Sequence, residues 1–252
     1  MPGITATIIT FNEETRISEA IASLSVCDEV IVVDSGSTDR TRDIARSLGA
    51  RVFEQEWRGY SIQKNFAAEQ ANNDWILSID ADERISVELA AEIARWKFHG
   101  NSHPDRMQGA VRAWSMPRCA YYLGRWIRHS GWYPDRKVRL YDRRHCHFEG
   151  EFVHESVRVQ GDSARFQGDL LHFPYRNWND HSKRIDRYTD LAAQAARSKG
   201  LHGSVLKLVL GPPTAFIKAF LLRGGFLDGW RGLAIAYMGA RYVFQREFRI
   251  LR

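Results

Sequence analysis

The chain opens on a run of β-branched and small residues, Ile4 to Thr10, which stops at the polar cluster Phe11-Asn12-Glu13-Glu14. That pattern predicts a buried strand ending in a functional loop. Ile17, Ala20, Ile21 and Leu24 then recur at helical spacing. Val30-Ile31-Val32-Val33 is a short unbroken apolar run, the mark of a strand covered on both faces. It gives way to Asp34-Ser35-Gly36-Ser37-Thr38-Asp39, turn chemistry and a helix cap together. A helix through Ile44, Ala45 and Leu48 closes at Gly49, and Arg51-Val52-Phe53 predicts a third strand. A helix around Lys64 to Ala71 leads to a fourth, Trp75 to Ile79, which ends in Asp80-Ala81-Asp82-Glu83. Ile85, Leu89 and Ile93, spaced four apart, predict the next helix.

Strand and helix alternate, which predicts an α/β fold with a mostly parallel sheet and helices on both faces. In such sheets ligands bind outside the carboxyl ends of the strands. Three predicted strands end in polar clusters: Thr10-Asn12-Glu13, Asp34 to Asp39, and Asp80-Asp82. In extended backbone, alternate side chains point the same way, so Asp80 and Asp82 are expected to hold a hard divalent ion together. Asp34 is placed to accept hydrogen bonds from a base or a ribose hydroxyl.

Composition narrows the class. The 252 residues are 44% hydrophobic and 26% charged, an ordinary globular balance. Three cysteines and no C-x-x-C pair exclude a disulfide framework and a thiolate zinc site, and suggest a reducing compartment. A formal charge of +6 favours anionic partners. The N-terminus has no signal pattern, and charges interrupt the longest apolar runs, so no ordinary membrane span is expected.

From Ala113 to Tyr175, aromatic residues interleave with basic ones. Tyr121, Tyr122, Trp126, Trp132 and Tyr133 alternate with Arg125, Arg128, Arg136, Lys137 and Arg139. Such a mixture suits a sugar face beside a phosphate, and it also suits single-stranded nucleic acid. Gly131 to Asp135 reads as a loop able to cover the site, and Arg136 and Arg139 are candidates for a diphosphate or a phosphorylated acceptor. Ile185, Tyr188, Leu191 and Ala195 predict an amphipathic helix from Asn179 to Lys199. Beyond Val205, apolar segments broken by Gly211-Pro212-Pro213 and Gly224-Gly225 accompany Trp230 and several arginines. These fit helices lying in a membrane interface; a helical appendage packed on its own domain or on a dimer partner is the alternative. The expected organisation is a catalytic domain over residues 1–178 and a helical, membrane-associating region over 179–252.

The set TIITFNEE, VIVVDSGSTDRT and QKNFAAEQANNDWILSIDADE resembles family 2 glycosyltransferases, which have the GT-A fold. GWYPDRKVRLYDRR, FEGEFVHESV and GGFLDGWRGL are similar to the group that adds β-linked glucose or related sugars to the lipopolysaccharide inner core, so the likeness covers nearly the whole chain. The resemblance implies a UDP-sugar donor, a lipid-anchored glycan acceptor, Mg or Mn as cofactor, no nucleic-acid partner, and peripheral attachment to the cytoplasmic face of a bacterial inner membrane. It implies nucleotide contacts from Thr10, Asn12, Glu13, Asp34, Lys64 and Asp80. It also implies metal ligation by Asp82, with His172 as a further ligand. Inverting transfer needs one base for the acceptor hydroxyl. Glu155 fits the family's position for it, Asp135 is the second candidate, and His154 would orient the base or face the acceptor.

Other classes explain less. A nucleotidyltransferase would carry a glycine-rich basic loop where this chain has TFNEETR, and no G-x-G-x-x-G follows the first strand, against a dinucleotide oxidoreductase. A nucleic-acid-binding protein would leave the placement of Asp34 and Asp80-Asp82 unexplained.

Overall fold

The computed structural model describes residues 1–99, 111–150 and 155–252. Its first half runs β1 (Ile4–Thr10), α1 (Ile17–Ala22), β2 (Glu29–Asp34), α2 (Thr41–Ser47), β3 (Arg51–Glu54), α3 (Tyr60–Glu69), β4 (Trp75–Asp80), β5 (Glu83–Ile85) and α4 (Val87–His99). There follow β6 (Val111–Tyr122), β7 (Arg125–Ile127), β8 (Asp135–Asp142), β9 (Cys146–Glu149), β10 (Ser156–Val159), β11 (Asp162–Arg165) and β12 (Leu170–His172). Helices α5 (Trp178–Ser198), α6 (Val205–Ile217) and α7 (Trp230–Leu251) complete the chain. The residues group into two compact units, one of 1–118 with 136–172, the other of 119–135 with 173–252.

The principal sheet runs β3-β2-β1-β4-β8-β6-β12-β5. Its first four strands are parallel. From β4 outward the sheet is mixed, because β8 pairs antiparallel to β4 and β12 antiparallel to β5. Every residue of β1 is buried, as a central strand with covered faces requires. Its alternation feeds two cores. Ile4, Ala6 and Ile8 join Val32, Leu77, Leu89 and Trp96 on one side of the sheet. Ile9 joins Ile31, Val33, Ala67, Ile76 and Phe148 on the other. Burying a Leu or Ile side chain contributes about 1.5–3 kcal/mol, so this double layer fixes the strand register and the level at which each strand ends.

Two expectations about elements are corrected. Ile85 belongs to β5, and the helix begins only at Val87, with the Ser86 hydroxyl accepting from the Leu89 amide at 3.1 Å. Ile85 shares helical spacing with Leu89 and Ile93, but pairing with Leu170 holds it extended. Likewise Pro212 and Pro213 do not break the C-terminal segment. They lie inside α6, which continues through a π-helical turn, Lys218–Leu222. The continuous helical stretch Val205–Leu222 is 18 residues long, and by length and composition it is apolar enough to cross a membrane. The expectation of no such stretch therefore fails, since only two lysines interrupt it.

The second unit has its own small core. Tyr122, Ile127, Ala234 and Ile235 are buried, with Leu123, Trp132 and Tyr175 packed against them. Trp132 lies edge-on to Tyr122 at 5.3 Å between ring centroids. Its ring is thus part of an aromatic cluster in this unit.

Candidate active site

Register carries the polar clusters to one edge. Thr10 is the pairing partner of Asp34 and Ile9 of Asp80, so β1, β2 and β4 end at one level. The loops that follow are tied to each other. Asn12 takes a left-handed conformation, φ 54°, which its short polar side chain tolerates. Its amide donates to the Ser37 hydroxyl at 2.8 Å, and its side-chain oxygen accepts from the Thr38 amide at 2.8 Å. The Glu13 amide donates to the Thr41 hydroxyl at 2.9 Å. Asp34 is wholly buried, and its carboxylate accepts from the Gly36 and Ser37 amides and from the Ser37 hydroxyl. In this structure its oxygens shape the loop. Thr10 leaves a buried hydroxyl with no hydrogen-bond partner among the described residues.

The end of β4 gathers a network of buried charge. Lys64, 1% exposed, extends from α3 and places its ammonium 2.9 Å from Asp80 Oδ1 and 3.3 Å from Glu155 Oε1. Arg139, from β8, donates to Asp80 at 2.8 Å and to the fully buried Glu83 at 2.7 Å. Arg118 adds a second ion pair to Glu83 at 3.3 Å. Burial opposes ionisation of Asp80, but Arg139 and Lys64 overcome it and hold its carboxyl far below the usual carboxylate range. Buried charges persist only when paired in this way.

Asp82 faces elsewhere. Strand geometry stops at Asp80, and residues 81 and 82 form a turn, so the alternation that would align the two carboxylates does not operate. Asp82 Oδ2 lies 3.6 Å from His172 Nε2. His172 arrives because β12 pairs it with Glu83, one residue from Asp82. Burial works against ionising Asp82, and the neighbouring imidazole outweighs it, so the carboxyl lies below its usual range. Asp80 and Asp82 thus meet different partners, Asp80 the cations of Lys64 and Arg139 and Asp82 the His172 imidazole. No group of three or more metal-ligating side chains occurs among the described residues. Asp82 and His172 nevertheless form a two-donor set, which suits an ion whose other positions go to phosphate oxygens and water.

Other expected residues have different surroundings. Arg139 is buried in the Asp80–Glu83 network and is not open to a diphosphate. Arg136 donates to the carbonyls of Ser115 at 3.4 Å and Phe166 at 3.0 Å. Asp135 begins β8 and does not lie in a loop, and it groups with the second unit, as does Trp132. His154 lies outside the described residues. Sequence reasoning missed Glu83 and Arg118. The signal was an acid directly after the D-x-D and a basic residue in the aromatic and basic stretch, neither of which reveals a partner far along the chain.

The description "Glycosyl transferase family 2" matches residues 5–103. The lipopolysaccharide core biosynthesis glycosyltransferase LpsC of Rhizobium meliloti (strain 1021) is 30% identical over 97% of this chain and 93% of its own length. An uncharacterized glycosyltransferase of Rickettsia typhi is 32% identical over the whole chain and 88% of its own length. Among solved structures, Staphylococcus aureus TarS is 25% identical over 50% of this chain and 23% of its own length, with a TM-score of 0.38.

Proposed function

The chain belongs to glycosyltransferase family 2, and from that premise we propose that it is an inverting, metal-dependent enzyme. It moves glucose or a related sugar from a UDP-sugar to a hydroxyl of a lipid-anchored glycan in lipopolysaccharide core assembly, at the cytoplasmic face of the inner membrane. The observation that carries this is Lys64, which joins Asp80 at the end of β4 to Glu155, 91 positions further along the chain. A candidate base thereby stands at the strand-end edge where a sugar nucleotide is expected. Full-length similarity to LpsC supports the choice of acceptor class.

In this reading Thr10, Asn12, Glu13 and the loop shaped by Asp34 cradle the nucleoside. Asp82 and His172 would hold a divalent ion, which when bound would neutralise charge on the diphosphate. Lys64 and Arg139 fix Asp80 at the floor of the site. The acceptor oxygen attacks the anomeric carbon as the bond to the diphosphate oxygen breaks. Glu155 takes the hydroxyl proton, and UDP leaves with the electron pair. The configuration at the anomeric carbon inverts because one displacement occurs.

The test uses the purified chain with a panel of UDP- and GDP-sugars and a lipid-anchored acceptor. Asp82→Ala should abolish transfer, and a chelator should suppress the unaltered enzyme. Glu155→Gln should lose turnover by about 10²–10⁴-fold while keeping donor affinity, since the amide preserves shape but cannot take the proton. Normal turnover by Glu155→Gln, with loss in Asp135→Asn, would transfer the role to Asp135. A product with retained configuration, read by NMR, would remove the single displacement.

A further inference from the structure

The net charge of this protein is concentrated in one segment. Residues 205–252 carry eight Lys and Arg against two acids, Asp228 and Glu247, a net +6, which equals the charge of the whole chain. Residues 1–204 therefore balance to zero. Both acids are buried and engaged, Asp228 with His129 and Glu247 with Arg246. The exposed charge of the segment is purely basic.

The same segment presents an apolar face. None of the residues from Val205 to Leu222 is buried. Leu206, Leu210, Ile217 and Leu221 recur at three- to four-residue multiples and form one stripe, with Leu206 68% exposed and Leu222 at its end 78% exposed. Lys207 and Lys218 make no ion pair among the described residues. They are eleven residues apart, about three helical turns, so both flank the stripe on one side.

We infer that α6 and the turn after it lie in the plane of an anionic phospholipid surface. Their leucine stripe enters the acyl boundary, and Lys207 and Lys218 reach to headgroup phosphates. Charge complementarity selects the anionic bilayer, and the packing of the second unit decides the posture. Gly211 of α6 approaches α7 so closely that an added Cβ would lie 2.9 Å from Val243. On α7, Arg241 pairs with Asp186 at 3.0 Å and Arg249 with Asp190 at 2.6 Å, both on α5. An α6 that crossed the bilayer would carry α7 with it and bring these ion pairs to hydrocarbon depth, where charged groups are strongly disfavoured. Lying flat, α6 leaves them in water. Its 18-residue extent, about 27 Å at 1.5 Å per residue, then serves as a contact strip. Lysine stems can follow the apolar face while their ammonium groups stay wet.

The test is sedimentation of the full chain with vesicles of phosphatidylcholine alone or with phosphatidylglycerol, and donor hydrolysis is measured in the same samples. The expected result is binding to the anionic vesicles that falls with added salt and is removed by alkaline carbonate. Each of Lys207→Gln and Lys218→Gln should weaken partitioning about fivefold. Leu210→Asp, at an exposed position, should weaken it more than tenfold with circular dichroism and donor hydrolysis unchanged. Equal binding to neutral vesicles would overturn the proposal, as would resistance to carbonate, the mark of a spanning helix. Concentration-dependent dimerisation abolished by Leu210→Asp, with no vesicle binding, would assign the face to a second copy instead. Because donor hydrolysis is read separately, failure of the lipid contact is distinguishable from failure of the glycosyl-transfer assignment.

Discussion

Lys64 has almost no contact with water, yet it faces two carboxylates that retain some. The Asp80 and Glu155 side chains keep 27% and 20% exposure. Removing one member of a buried ion pair typically costs about 3–5 kcal/mol, because the remaining charge is left uncompensated. Access of water to the two acids moves the expected cost of Lys64→Met to the lower end, about 3 kcal/mol. Urea unfolding should show that loss together with loss of transfer. Adding Asp80→Asn should return part of the stability and none of the turnover. Arg139 plays a related part, since Glu83, Arg118 and Asp80 surround it. It positions Asp80 and is too buried to meet a substrate.

At the scale of elements, a hydrogen bond between the Tyr122 hydroxyl and His181 Nδ1, 2.8 Å long, links β6 to α5. Burial pushes the His181 imidazole down to about 4; Asp180 opposes this, and Arg184 and Arg241 add to it. An unfolded histidine takes up its proton near pH 6.5. Between that pH and about 4 the unfolded chain is protonated at this position and the folded chain is not. The bond's contribution is therefore complete above pH 6.5 and is lost as the pH falls toward about 4. Melting temperature followed from pH 7.5 to 4.5 should drop more steeply in the unaltered protein than in His181→Gln. Element geometry also separates Asp80 from Asp82. Had β4 continued two residues further, both carboxylates would share a face; the turn sends one to Lys64 and the other to His172.

For the whole molecule, charge and chemistry occupy different stretches of sequence. The strand-end site of the first unit is built from balanced ion pairs, and the net positive charge belongs to the last 48 residues. Screening shortens from about 10 Å at 0.1 M salt to about 3 Å at 1 M. Raising salt over this range should increase the apparent KM for a vesicle-embedded acceptor severalfold. Hydrolysis of a soluble donor, which needs no surface, should change little. A parallel loss of both rates would place the salt effect in the active site.

Local pattern alone determined the first four strands, the three helices between them and the polar clusters that end β1, β2 and β4. Each depends on residues within about ten positions: an apolar run, a turn residue or a helical spacing. The motifs also carried the family, with its GT-A fold. Strands β6 to β11 were not legible, since pairings such as β8 on β4 and β11 on β6 join residues far apart in sequence, and strand pairing is set by contacts across the sheet. The same limit applied to the site. Asp80 and Asp82 look alike in sequence, and only the turn after β4 and the arrival of β12 decide that one meets cations and the other an imidazole. Lys64 and Glu155 appear unrelated on paper. They meet because α3 packs against β9, and β10, which pairs with β9, begins directly after Glu155, a juxtaposition that tertiary packing alone creates.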